Sequence, residues 1–370
     1  MKILYVTTVG MTSRFFENYI SVLLKNGHTV EFACNSKDSP VTAFYTERGI
    51  TVHDIDCSRS PFSSGNIKAV GQIRALAEKN NYDIIHCHTP IAAACTRLAC
   101  RSARKKGTKV FYTAHGFHFY KGAPAKNWAI FYPVERICAR FTDVLFTITK
   151  EDYDLAQRKL RAARVEYVPG VGVDIKRFAS EPMSKREKRE ELKIPNDALL
   201  LLSVGELNTN KNHQVVLRAL SKIEKNIHYV IAGVGDRAEA LKSLAAELGM
   251  AERFHLLGFR RDIPELCRAA DAYILPSVRE GLNVSTIEAM ASGLPCIVGR
   301  IRGNVDLIDE KGGALFEPQS AEECRTAIES VLMGDLGAMG KHNAQKAFEF
   351  DIEAVNDMML RIYESASSGK

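Results

Sequence analysis

The segment Arg279-Glu280-Gly281-Leu282-Asn283-Val284-Ser285-Thr286-Ile287-Glu288-Ala289 carries two carboxylates separated by seven residues. It follows a strand-like run, Ala272–Leu275, and the pair Pro276-Ser277. On a loop there, Glu280 can accept hydrogen bonds from sugar hydroxyls. Gly281 allows a sharp turn and close backbone approach. Ser285–Met290 reads as a helix start, whose unpaired N–H groups can hold a phosphate. Glu288 falls about one turn into that helix, where it can face a ligand such as a ribose at the helix mouth. The plain alternative is a capped surface helix with two solvated carboxylates.

Other residues invite chemistry. His115 follows the strand-like Lys109–Thr113 and precedes Gly116, so it sits on a loop at a strand's carboxyl end. His118 lies three residues on. Lys211 sits after Gly205 in a loop rich in asparagine: Asn208, Asn210 and Asn212. His86-Cys87-His88 raises the question of a metal, but zinc needs four well-placed ligands and no companion pair is evident. At most one of the two histidines is expected to line a site. Asp54-Ile55-Asp56 and Asp152-Tyr153-Asp154 form Asp-x-Asp pairs. The first reads as a strand end and the second as part of a helix, and both as solvated carboxylates. Gly233-Val234-Gly235-Asp236 lacks the third glycine and distant acid of a dinucleotide fingerprint, so it reads as a plain turn.

These residues need a scaffold. Short apolar runs alternate with helix-like stretches: Ile3–Thr7, Thr29–Ala33, Asp83–His86, Lys109–Thr113, Leu145–Thr149 and Val165–Val168 as strands, with Arg14–Asn26, Val41–Arg48 and Ile67–Asn80 as helices. Leu199–Gly205, His228–Ala232, Phe254–Leu257, Ala272–Leu275 and Cys296–Val298 repeat the rhythm after a charged stretch, Glu181–Glu191. The pattern predicts α/β architecture with two doubly wound parallel sheets. The expected domains are 1–172 and 173–350, with 351–370 as a closing helix that packs back on the first. Ligands sit beyond the carboxyl ends of such sheets, so the expected site is the cleft between the halves.

Composition narrows the classes. With 370 residues, 46% hydrophobic and 25% charged, the chain is neither disordered nor fibrous. No apolar run reaches the ~18 residues of a membrane span. The opening Met1-Lys2-Ile3-Leu4-Tyr5-Val6 is too short for a signal peptide and reads as a buried strand. Nine cysteines without a Cys-x-x-Cys pair point to a reducing, cytoplasmic setting. Residues 1–172 hold 24 Lys and Arg against 14 Asp and Glu, whereas the remainder holds 26 against 30. The basic half suits an anionic membrane face or a phosphorylated acceptor. No nucleic-acid motif accompanies the charge.

Taken together, Glu280–Glu288 and its continuation Met290-Ala291-Ser292-Gly293-Leu294-Pro295-Cys296-Ile297-Val298 resemble the Glu-x7-Glu motif of the family 4 retaining glycosyltransferases of GT-B fold. Asp83-Ile84-Ile85-His86-Cys87-His88, Thr113-Ala114-His115-Gly116, Val171-Gly172-Val173-Asp174 and Phe178 fit the same family. His115-Gly116-Phe117-His118-Phe119-Tyr120 and Gly205-Glu206-Leu207-Asn208 look closest to capsular and exopolysaccharide members.

The resemblance implies transfer of a sugar from a nucleotide diphosphate, a UDP-sugar first of all, to a lipid-diphosphate-linked saccharide at the inner membrane face. It implies no metal, no cofactor and no separate base, the leaving phosphate taking the acceptor proton. His115 would sit beside the donor sugar and phosphate. Glu280 would hold the sugar and Glu288 the ribose. Lys211 would clamp the diphosphate, together with N–H groups near Asn283–Ser285, and Gly281, Leu282, Asn283 and Val284 would line the donor site. Gly258, Phe259 and Arg260 would meet the nucleobase. The loop at Gly10 would approach donor phosphate or acceptor. The family places an arginine where this chain has Glu206, so Arg300 or Arg302 is considered as a substitute. A UDP-sugar epimerase, a phosphorylase and a non-catalytic sugar-nucleotide module share the fold. An NAD oxidoreductase lacks its fingerprint.

Overall fold

Uninterrupted runs of Val, Ile, Leu and Phe suit strands covered on both faces, and parallel sheets demand that cover. A computed structural model describes residues 1–179 and 183–367. The chain divides into two compact units, one of residues 1–171 together with 354 onward, the other of residues 172–353.

The first unit holds β1 (Lys2–Val9), β2 (Thr29–Asn35), β3 (Val52–Asp54), β4 (Ile84–His88), β5 (Lys109–Ala114), β6 (Val144–Thr147) and β7 (Arg164–Tyr167). They form one parallel sheet in the order β3-β2-β1-β4-β5-β6-β7. The second unit holds β8 (Leu199–Val204), β9 (Ile227–Ala232), β10 (Phe254–Leu256), β11 (Ala272–Leu275), β12 (Cys296–Gly299) and β13 (Gly313–Phe316). Their order, β10-β9-β8-β11-β12-β13, winds the same way and is also parallel. Each sheet reverses direction once, between β1 and β4 and between β8 and β11. A crevice opens at that point beyond the carboxyl ends.

Helices differ from expectation mainly at their ends. Instead of one helix over Arg14–Asn26, a tight 3-10 turn covers Gly10–Phe15 and an α-helix runs from Glu17 to Lys25. Phe16, Ile20 and Leu23 are buried, whereas Phe15 is exposed. The helix expected over Val41–Arg48 shortens to Ala43–Glu47. In the charged stretch, Ser184 caps the helix Lys185–Glu191, and Glu181 lies outside the described residues. The last helix, Ile352–Ser367, packs on the first sheet; residues 368–370 lie outside the described ones. Val355, Met359 and Ile362 join the core around Phe32 and Phe111, and the Tyr363 hydroxyl lies 2.9 Å from that of Tyr5. All nine cysteines are buried and unpaired.

One buried ion pair stands out in the first unit. Arg97 has no exposed surface, and its guanidinium donates to both oxygens of Glu135 at 2.8 and 3.0 Å. It also lies over the Tyr112 ring at 4.2 Å. Removing one partner leaves the other charge stranded away from water. Glu135→Ala should therefore lower unfolding free energy by about 3–5 kcal/mol. Urea denaturation of Glu135→Ala beside Arg97→Met/Glu135→Leu, expected to be much milder, checks this.

Candidate active site

In the second unit the residues singled out by sequence gather at the reversal between β8 and β11. Gly205 follows β8 with a positive φ of 156°. A side chain there would press within 3.1 Å of the Lys211 stem, so glycine leaves room for that lysine. Lys211 Nζ lies 2.7 Å from Glu280 Oε1, and both side chains are largely withdrawn from solvent. The asparagines around Lys211 turn out to be its mount. Asn208 Oδ1 accepts the Lys211 N–H at 3.0 Å. The Asn208 amide donates to Glu206 at 2.8 Å. Asn210 donates to the Arg279 carbonyl at 2.9 Å and accepts the Val278 N–H through its own carbonyl. Asn212 donates to the Pro318 carbonyl at 2.7 Å. Glu206 is thus exposed and acts on Lys211 through Asn208.

The Glu280 loop ends in the helix Val284–Ala291. Asn283 caps it, its side-chain oxygen accepting the Thr286 N–H at 3.0 Å. The N–H groups of Val284 and Ser285 have no intrahelical partner. Ser285 Oγ lies 3.0 Å from the Val204 carbonyl and 2.7 Å from the Tyr273 hydroxyl, which ties the helix mouth to β8 and β11. Leu282 packs against the core. Gly281 does not adopt a positive φ. The close approach belongs to Gly303, at φ 84°, where a β-carbon would fall 1.8 Å from the Gly281 carbonyl oxygen.

Glu288, one helix turn in, is partly buried, and burial raises its carboxyl to about 7, against a smaller opposing pull from Arg177. Gly258, at φ 70°, bridges to Gly233, which itself abuts the Gly205 carbonyl. The three loops thereby adjoin. Phe259 is 69% exposed. Arg260 points into an ion cluster: it pairs with both oxygens of Asp262 and with Glu191 at 2.8 Å, and Lys188 pairs with the same two carboxylates. Arg300 donates to the Leu315 carbonyl at 3.2 Å, and Arg302 is buried.

In the first unit the reversal between β1 and β4 carries aromatic rings and imidazoles. Gly10 presses on the Ser39-Pro40 backbone, where a β-carbon would fall 2.0 Å from the Ser39 carbonyl oxygen. His86 and His88 share one face of β4, their ring centroids 4.1 Å apart. Both line one cavity of about 60 Å³ with Tyr5, Phe16 and His115. The expectation that at most one would do so is corrected: side chains two apart along a strand point the same way. His86 bonds to the Tyr363 hydroxyl and to Thr113 Oγ1, the latter at 2.7 Å. His88 Nδ1 lies 3.2 Å from His115 Nε2. His115 itself is exposed. His118 stacks on Phe131 at 4.5 Å.

Two Asp-x-Asp carboxylates are not the solvated groups expected. Asp152 is fully buried and accepts the Phe117 N–H at 3.3 Å, while Glu151 accepts the Lys121 N–H at 2.7 Å. Together they hold the loop that carries His115. Asp54 accepts from the Ser36 N–H and hydroxyl and pairs with Lys37 at 2.8 Å. Thr89, just past β4, has φ 62°, costly for a β-branched residue, and the Thr8 hydroxyl holds it at 2.7 Å. No group of three or more His, Cys, Asp or Glu among the described residues is arranged to hold a metal ion.

Comparison with known proteins places this geometry. Residues 184–347 match the family described as glycosyl transferases group 1, and residues 2–149 match glycosyl transferase 4-like. The Bacillus subtilis (strain 168) protein named "Putative glycosyltransferase EpsD" is 35% identical over 94% of this chain and 93% of its own length. The chain belongs to glycosyltransferase family 4. The UDP-Gal:alpha-D-GlcNAc-diphosphoundecaprenol alpha-1,3-galactosyltransferase of Escherichia coli is 30% identical, over 72% of this chain and 70% of that protein. Among solved structures, Anabaena Alr3699/HepE in complex with UDP superposes with a TM-score of 0.81 at 20% identity, covering 99% of this chain and 100% of that one. Sucrose-phosphate synthase from Thermosynechococcus elongatus gives 0.79 at 18% identity over all of both chains. The fold is GT-B, two Rossmann-like domains, as the glycosyltransferase's strand orders already show.

Glu288 makes stability depend on pH. Its folded pKa of about 7 exceeds the ordinary 4.5. Between those values the folded chain holds a proton that the unfolded chain has released. Stability from this group is full below 4.5, falls as pH rises toward 7 and stays low above it. Glu288→Gln should gain about 2–3 kcal/mol over the parent at pH 8 and nothing at pH 4. Urea unfolding of both proteins at the two pH values measures this.

Proposed function

We propose that this glycosyltransferase moves a sugar from a UDP-sugar, such as a UDP-hexose or UDP-N-acetylhexosamine, to a lipid-diphosphate-linked saccharide with retention of configuration, in capsule or exopolysaccharide assembly. The observation that carries the reading is the Lys211–Glu280 pair at the β8/β11 reversal, beside the open N–H groups of the Val284–Ala291 helix. An ammonium and two N–H groups meet the charge of a leaving diphosphate, and a carboxylate meets sugar hydroxyls. The E. coli relative's named donor and acceptor support the substrate classes, and the UDP bound to Anabaena HepE supports the nucleotide.

The reaction breaks the bond between the anomeric carbon and the β-phosphate oxygen. It forms one between that carbon and the acceptor oxygen on the same face. The acceptor proton passes to the departing phosphate, so UDP leaves protonated to match. Positive charge grows on the sugar ring and negative charge on the phosphate. Fixed donors that need not reorganise stabilise that separation most. Lys211 is held by Glu280 until the diphosphate arrives, and the ammonium then serves both. Glu288 receives ribose hydroxyls, and His115 donates toward the reacting centre. A nucleobase would rest on Gly258 and Phe259, with Arg260 behind them in its ion cluster. No metal or cofactor enters the scheme.

The acceptor's lipid calls for a membrane-facing surface, and the first unit offers one. The helix Ala125–Ala139 exposes Ile130 (47%), Val134 (45%) and Ile137 (52%) along one side. Lys126, Arg136 and Arg140 flank them in solvent, and the helix's one carboxylate, Glu135, is buried against Arg97. An apolar stripe flanked by Lys126, Arg136 and Arg140 suits an anionic leaflet, and we place the protein at the inner face of the cell membrane. No helix among the described residues is long and apolar enough to cross one.

A screen of UDP-sugars for UDP release, with and without a lipid-diphosphate acceptor, tests the reading. Release that needs acceptor supports transfer; conversion of the donor without acceptor points to an epimerase; neither points to a binding module. Glu280→Gln, which keeps an acceptor oxygen for Lys211, should cut transfer at least ~100-fold and lose less stability than Glu280→Ala, which strands the Lys211 ammonium. For the membrane face, co-sedimentation with phosphatidylglycerol vesicles should exceed that with phosphatidylcholine, and Ile130→Glu/Ile137→Glu should abolish it. Equal binding to both vesicles would refute the charge argument.

A further inference from the structure

The hydrogen-bond accounts of His88 and His115 determine which way the exposed imidazole presents itself. His88 closes β4 and is buried between Tyr5, stacked at 5.4 Å, and Phe16, at 4.3 Å. It has one polar contact through the ring, Nδ1 to His115 Nε2 at 3.2 Å. Its other nitrogen, Nε2, is buried with no partner among the described residues. Burial holds the imidazole neutral, well below its ordinary pKa, so it carries one hydrogen and one lone pair. An orphaned buried N–H is rarer than an orphaned acceptor. The hydrogen therefore belongs on Nδ1, the nitrogen with a partner.

The consequence passes to His115. Receiving a hydrogen at Nε2, it must offer a lone pair there. A neutral His115 then keeps its own hydrogen on Nδ1, which has no partner among the described residues. The desolvated inner edge of His115 lowers its basicity, although its exposure limits that effect.

We infer that His88 is a positioning residue that locks His115 in the Nδ1–H form, so that His115 presents a donor to a sugar or phosphate oxygen of the bound nucleotide sugar and no base to the acceptor. The ligand named here rests on the proposed function; the tautomer does not. His86 supports the column from beneath, held by Thr113 and by Tyr363 from the last helix.

Long-range 1H–15N correlation on the full chain with labelled histidine reads the tautomers without any substrate. The expected result is His115 protonated at Nδ1 and bare at Nε2. Protonation at Nε2 instead would overturn the inference, whether or not the protein transfers sugar. His88→Phe keeps a ring but no donor; it should leave His115 in mixed tautomers and lower kcat for UDP-sugar turnover ~10-fold, the scale of one hydrogen bond, with the donor KM little changed. His88→Asn, whose amide can donate from nearly the same place, should restore much of kcat and the Nδ1–H form. If the Phe variant keeps both the tautomer and kcat, His88 has no positioning role.

Discussion

An ammonium and a carboxylate 2.7 Å apart, both mostly removed from water, impose strict terms on what surrounds them. Neither charge can be withdrawn from solvent without the other close by. Gly205 leaves room for the Lys211 stem, Asn208 holds the Lys211 N–H, and Asn210 and Asn212 tie the loop to neighbouring backbone. The helix beginning at Val284 is tied in turn to β8 and β11 through Ser285 and Tyr273. Glu206 belongs to the same support, since it accepts from the Asn208 amide.

The two units share a strand order but not an electrostatic character at the equivalent reversal. In the second, fixed charge and open backbone N–H groups converge. In the first, neutral imidazoles and aromatic rings stack beneath His115, and the charges that matter lie farther back, in Asp152 under the loop and in the Arg97–Glu135 pair. A diphosphate suits the former surroundings. The last helix meets this column through the Tyr363 hydroxyl on His86 and lines the same cavity with Val355, Asn356 and Met359.

Much of the scaffold is legible in residue order. Short apolar runs separated by amphipathic stretches leave little choice but parallel strands with helical crossovers, and right-handed crossovers then order them. Element ends are less legible: the Arg14–Asn26 pattern is periodic throughout, yet the chain tightens into a 3-10 turn through Phe15. The loop carboxylates are least legible. Asp152 looks like any helix-start acid in sequence and becomes a buried anchor only because the His115 loop folds over it. Arg260 looks like a ligand-facing cation until Glu191, from the helix Lys185–Glu191, and Asp262, two residues on in the same loop, hold it.

Residue types and their spacing by themselves determined the family, the doubly wound architecture and the Glu280 and Glu288 pair, because period, turn chemistry and motif spacing are local quantities. Tertiary structure alone decided that Lys211 lies against Glu280, that Glu288 is pushed toward neutrality, and that His86, His88, His115 and Tyr363 form one column. Those outcomes depend on burial and on distances of a few ångströms between residues far apart in the chain. Neither is set until the sheets have closed around them.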